Sequence, residues 1–216
     1  MLPRRSKQED VCVNEQTWLA EYLDRYRRSI FDIAVRDDLI RLAHTMKTAS
    51  SAGRNAIFAG NGGSAAIASH CAVDFSKNAG IRASSFCDAS LITSLANDFG
   101  YEHWIEHAIR LSSNPGDTVV LISSSGQSPN VVHAARYARA VGLRLVTFTG
   151  FDPANPLRTL GDVNFWVDSR AYNVVEVTHQ LWLLAVCDLL IGQAEYGVDV
   201  GLTRTGFGAS LSLTGV

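Results

Sequence analysis

The stretch Asn55-Ala56-Ile57-Phe58-Ala59-Gly60-Asn61-Gly62-Gly63-Ser64-Ala65-Ala66 constrains this chain more than any other. Ile57, Phe58 and Ala59 form a short apolar run bounded by turn residues, the pattern of a parallel strand covered on both faces. The glycines that follow lack the Cβ atoms that would keep a ligand from the backbone. Ser64 adds a hydroxyl where a helix N-terminus leaves N–H groups unpaired. Such a turn suits an anion, phosphate above all, although a lone Gly-rich turn is as often a plain connection. It is neither a dinucleotide fingerprint nor a P-loop, since no Lys-Ser or Lys-Thr follows, and no nucleotide cofactor is expected.

A second stretch repeats the pattern. Asp117 to Ile122 reads as another buried strand and empties into Ser123-Ser124-Ser125-Gly126-Gln127-Ser128-Pro129-Asn130, with Pro129 where a first helical turn tolerates it. Ligands of open parallel sheets bind outside the carboxyl ends of the strands, so both turns are expected to face one crevice. Neutral donors suit a sugar phosphate better than a nucleotide. Asn61, Gly62, Gly63, Ser64, Ser123, Ser124, Ser125 and Ser128 are the expected phosphate-binding set.

The rest of the chain supports that crevice. With 216 residues and 47% hydrophobic composition it suits one domain with a substantial core. Lys plus Arg total 19 against 21 acids, a net charge of -2, so no general attraction to nucleic acid or an anionic membrane is expected. Cys12, Cys71, Cys87 and Cys187 show no CxxC spacing and read as small buried hydrophobes in a reducing cytoplasm. Residues 1–14 read as a loose polar arm without a signal peptide, 15–194 as the folded domain, and 195–216 as an irregular extension whose apolar positions include Leu211 and Leu213.

A helix is expected from about Glu15 to Val35, where apolar residues from Trp18 to Ile33 recur at helical spacing, and a second helix over 37–52. Two helices ahead of the first strand exceed what a sheet needs for cover, which suggests contact with a neighbouring subunit. Later strands alternate with helices and predict a doubly wound parallel α/β sheet. On the helix expected over 64–77, His70 and Asp74 stand at i, i+4, a hydrogen-bonded couple by default and a proton or metal partnership by function. The apolar helix expected over 173–194 carries Glu176 and His179 at i, i+3, where they would either satisfy each other or reach the crevice. Its polar interruptions argue against a membrane span, and burial on every side would fit a subunit interface. Asp88 is placed to cap the helix after it, and His103 and His107 read as surface or interface residues of one helix.

Taken together, Gly60 to Ala66, Ser69-His70, Asn97-Asp98-Phe99-Gly100-Tyr101-Glu102 and the serine loop ending Ser-Pro-Asn resemble the sugar isomerase (SIS) domain family, its phosphoheptose isomerase branch, from about Trp18 to Ile191. The resemblance implies a five-stranded parallel sheet flanked by helices and a homotetramer with active sites between subunits. It also implies isomerisation of sedoheptulose 7-phosphate to D-glycero-D-manno-heptose 7-phosphate.

The family's zinc-binding His aligns with His70, and its Glu, both ligand and base, with Asp74, one methylene shorter and so roughly 1.5 Å less in reach. Its substrate-side Asp aligns with Asp88, its Gln ligand with Glu176, its first His with His179, and its catalytic His with Leu184. On that basis proton transfer runs through an enediolate, with Asp74 as base and His179, or a zinc ion on His70, Asp74 and Glu176, as the acid or polarising partner. The loss at Leu184 supports an opposing expectation, a non-catalytic phosphosugar binder or a scaffold such as the tetrameric partner of the bacterial replication initiator.

Overall fold

The computed structural model describes residues 14–197. The expected arm (except Asn14), Cys12 and nearly all of the expected C-terminal extension lie outside the described residues.

Five parallel strands form one sheet in the order β2-β1-β3-β4-β5: β1 (Ala56–Gly60), β2 (Ala83–Ser85), β3 (Thr118–Ser123), β4 (Arg144–Thr149) and β5 (Val163–Trp166). Both faces are covered, which is why the central strands are apolar throughout rather than alternating. Phe58, Val120, Ile122, Val146 and Phe148 face one core, packed by α2 (Arg36–Ser51), α3 (Gly63–Lys77) and α7 (Tyr172–Ile191). Ile57, Ala59, Val119, Leu121 and Leu145 face the other, packed by α4 (Ala89–Phe99), α5 (Trp104–Ser112) and α6 (Pro129–Ala140). The order reverses between β1 and β3, so the carboxyl ends of these two neighbours flank the topological switch point.

The N-terminal region departs from the single helix expected over Glu15 to Val35. Helix α1 (Glu15–Ile30) ends there, and a short 3-10 turn over Ile33–Val35 follows, begun by the Asp32 carboxylate accepting from Ala34 N at 2.9 Å. No residue of α1 is buried. It runs along α7, where Trp182 Nε1 donates to Ile30 O, and leaves Trp18, Leu19 and Leu23 half exposed.

Helix α7 is long and apolar enough by composition to cross a membrane, but half of that window is buried inside the protein. Its composition is that of a core helix. It is not buried on every side, since Val177, Leu181 and Leu189 stay exposed, and it stops at Gly192 in a left-handed conformation. Cys71 and Cys187 are buried as expected, whereas Cys87 is exposed. His103 precedes α5 as its N-cap and does not share the helix with His107; its ring stacks on His133, while His107 stacks on Phe99.

Candidate active site

Gly60 and Ile122 are register partners at the ends of β1 and β3, so the two turns leave the sheet side by side. Gly60 is needed there because a Cβ would lie 2.7 Å from both Ile122 O and Ser64 Cβ. Gly62 caps α3 with φ 53°, a conformation open to glycine, and hands the chain to a buried Ser64. On the other side Ser128 and Pro129 start α6.

A reciprocal amide pair joins the corners: Asn61 Nδ2 donates to Asn130 Oδ1 and Asn130 Nδ2 to Asn61 Oδ1, each at 2.9 Å. Asn130 is 2% exposed and its Oδ1 also accepts from Val131 N, so the pair is rigidly seated. The corners are therefore held side by side at the carboxyl ends of the strands. In the serine loop Ser123 Oγ accepts from Gly126 N at 3.2 Å and lies 3.4 Å from Ser128 Oγ. Ser125 Oγ accepts from Gln127 N. Ser124 Oγ is buried without a hydrogen-bond partner, a polar group whose desolvation nothing in the described residues offsets. Two cavities of about 420 and 430 Å³ lie elsewhere, and no residue of either corner lines them.

The remaining candidates occupy the seam between α3 and α7. His70 Nε2 lies 3.1 Å from Asp74 Oδ2, and Gln180 Nε2 lies 2.9 Å from His70 Nδ1. Since an amide nitrogen can only donate, His70 Nδ1 accepts, and the ring proton sits on Nε2 pointing at Asp74. Asn78 Nδ2 donates to the other Asp74 oxygen at 3.2 Å. Asp74 is thus a held, partly exposed carboxylate at 23% side-chain exposure beside the His70 imidazole at 49%. Sequence reasoning missed Gln180 as a partner; its position one turn beyond Glu176 on α7 was the available signal.

Glu176 joins neither His179 nor that pair. Its carboxylate lies directly against Gly63, where any Cβ would strike it. Gly63 and His70 are about two turns apart, roughly 10 Å along α3. Among the described residues no three His, Cys, Asp or Glu side chains come together as a metal-binding group. Within one chain His70, Asp74 and Glu176 therefore do not assemble into the expected three-ligand zinc shell.

His179 also departs from both expected positions. It has no exposed surface, donates from Nε2 to Thr149 O at 3.0 Å, packs edge-on against Phe148, and leaves Nδ1 buried without a partner. Burial lowers its pKa to about 4, which keeps the ring neutral and structural. Asp88 caps α4 by accepting from Leu91 N and Ser90 Oγ, bonds that hold its carboxyl below the usual range. Leu184, on α7, is partly buried and packs against the core on that face of the sheet.

A model of the SIS domain matches residues 21–150. The chain belongs to the SIS domain family. Among SIS proteins it is 35% identical over 161 residues to the phosphoheptose isomerase of Paramagnetospirillum magneticum, covering 72% of this chain and 83% of that one. It is 29% identical over 178 residues to the probable phosphoheptose isomerase of Thermoplasma acidophilum, covering 79% and 96%. The structure of the phosphoheptose isomerase from Neisseria gonorrhoeae superposes with a TM-score of 0.75 at 26% identity, over 83% of this chain and all of that one. These relatives place this SIS chain in the phosphoheptose isomerase-like branch, with the five-stranded sheet the family implies.

Proposed function

We propose that this chain is a sugar phosphate isomerase that interconverts a ketose phosphate and its aldose, with sedoheptulose 7-phosphate as substrate. The observation that carries the reading is the Asn61–Asn130 pair, which turns two hydroxyl- and amide-bearing corners into one phosphate cradle. Within it the first-turn N–H groups of α3, Ser64 and the orphaned Ser124 hydroxyl hold the phosphoryl group. The family's named activity in its relatives supports the same class of substrate.

Asp74 is the base. It takes a proton from the carbon beside the carbonyl, the electrons move into an enediolate, the hydroxyl proton passes across to the former carbonyl oxygen, and the same carboxyl returns its proton to the former carbonyl carbon as the new carbonyl forms at its neighbour. His70, oriented by Gln180, holds its Nε2–H toward Asp74 and stabilises the carboxylate between transfers.

From Ser64, His70 and Asp74 lie roughly 9 and 15 Å along α3 at about 1.5 Å per residue, whereas an extended seven-carbon chain spans roughly 8 Å. The pair therefore serves the cradle of a neighbouring copy in a homo-oligomer, the tetramer implied by the family resemblance. The exposed Val73, Val177 and Leu181 on α3 and α7 and the uncovered α1 supply apolar surface for that contact.

The test is turnover of sedoheptulose 7-phosphate by wild type and Asp74→Asn. Activity lost in the variant with substrate binding retained supports the assignment. A wild type that binds and never turns over assigns the chain instead to the non-catalytic phosphosugar binders, the reading favoured by Leu184 and by a neutral, sealed His179.

A further inference from the structure

We propose that the chain carries a second anion site, remote from the crevice, which binds a phosphorylated small molecule at the amino ends of the strands. A groove of about 430 Å³ lies there, a size suited to a small-molecule ligand. Arg41, His44, Thr45 and Thr48 line one side from a single face of α2, at i, i+3, i+4 and i+7. Arg54, leading into β1, and Arg144, opening β4, line the other. Gly116 forms the floor, where a Cβ would lie 3.1 Å from Arg54 Nε, so the absence of a side chain keeps the groove open.

What distinguishes this patch from an ordinary charged surface is the fate of the nearby acids. Asp117 is 1% exposed, and its two oxygens accept from Asn55 N and Asn114 N, each at 2.8 Å. Asp162 accepts from Leu145 N and lies 4.0 Å from Arg139 in the adjoining groove. Only Arg41 has an acidic partner, Asp38 at 2.8 Å. Arg54 and Arg144 therefore have no ion-pair partner among the described residues, in a chain whose net charge is -2. At the α2 carboxyl end the Thr48, Ala49 and Ser50 carbonyls are already engaged by the N–H groups of Ala52, Gly53 and Arg54, and the Gly53 carbonyl by Arg82, which reduces the negative potential facing the groove. Two guanidiniums with unused forks, an imidazole and two threonines make a receptor for phosphate oxygens.

The test is titration calorimetry with inorganic pyrophosphate in low-salt buffer, made in the full-length Ser64→Ala/Ser124→Ala background so that the crevice does not contribute. Saturable binding is expected, weakened about tenfold or more by adding R54S/R144S, largely kept by R54K/R144K, and falling as salt is raised. Absence of saturable binding, or binding indifferent to R54S/R144S or to salt, overturns the proposal. So does tight binding of a duplex oligonucleotide through these arginines without saturable pyrophosphate binding, which assigns the groove to nucleic acid. None of these outcomes depends on whether the crevice isomerises a sugar.

Discussion

Asn61 and Asn130 donate to each other through both amide groups, at 2.9 Å in each direction, and so lock the β1 corner to the β3 corner. In Asn130→Ala, Asn61 loses both of its bonds to residue 130 and keeps only Tyr101 Oη at 3.4 Å, while Val131 N keeps only Ser128 O. Stability is expected to fall by about 1–3 kcal/mol in urea titration, and sugar phosphate affinity by at least about tenfold in calorimetry. An affinity unchanged in Asn130→Ala would mean that the corners do not act together.

The two partners of His70, Asp74 at Nε2 and Gln180 at Nδ1, separate chemistry from positioning. Asp74→Asn is expected to lower kcat by about 10²–10⁴-fold with KM little changed, measured by the rate of aldose formation. Gln180→Ala frees the imidazole to turn over and is expected to lower kcat less, with Gln180→Asn recovering little because its amide falls short of Nδ1. A Gln180→Ala enzyme with wild-type kcat would remove the positioning role.

Sharing of the site between copies has a direct signature. Ser64→Ala and Asp74→Asn, each inactive alone, are expected to regain activity when co-expressed or mixed after dissociation, because hybrid oligomers contain sites with both residues intact. Mixtures that stay inactive while forming hybrids by native mass spectrometry would place cradle and base in the same chain.

His179 sets an acid limit on stability. Its folded pKa of about 4 lies below the ordinary 6.5 because burial disfavours the imidazolium. The unfolded state therefore binds the proton first, so the neutral ring contributes stability in full above pH 6.5, and that contribution is lost as pH falls from there toward 4, up to about 3 kcal/mol. Urea midpoints measured at pH 7.5 and 5 should differ less in His179→Gln, which keeps a donor for Thr149 O. An equal difference would show that another group dominates.

The strands and the two corners were legible because each combined an unbroken apolar run with a Gly- or Ser-rich turn, signals that lie next to each other in the chain. The break after Ile30 was not, because no Pro or Gly marks it and the Asp32 carboxylate that starts the next turn looks like any exposed acid. The spacing of His70 and Asp74 correctly placed them together. For Glu176 and His179 the same rule gave a shared face, yet packing against α3 and β4 sent one to Gly63 and the other to Thr149, which depends on distant elements and has no local trace. Similarly, the inward turn of Asp117 that leaves Arg54 unpaired is a tertiary fact.

The contact of Glu176 with Gly63 bears on how this chain can drift through evolution. Any larger residue at 63 must either turn the Glu176 carboxylate out of its present place or be met by a shorter residue at 176, so the two positions are expected to change in concert. A library randomised at both sites should recover functional sequences as matched pairs, even though one position belongs to the first crossover and the other to the last helix.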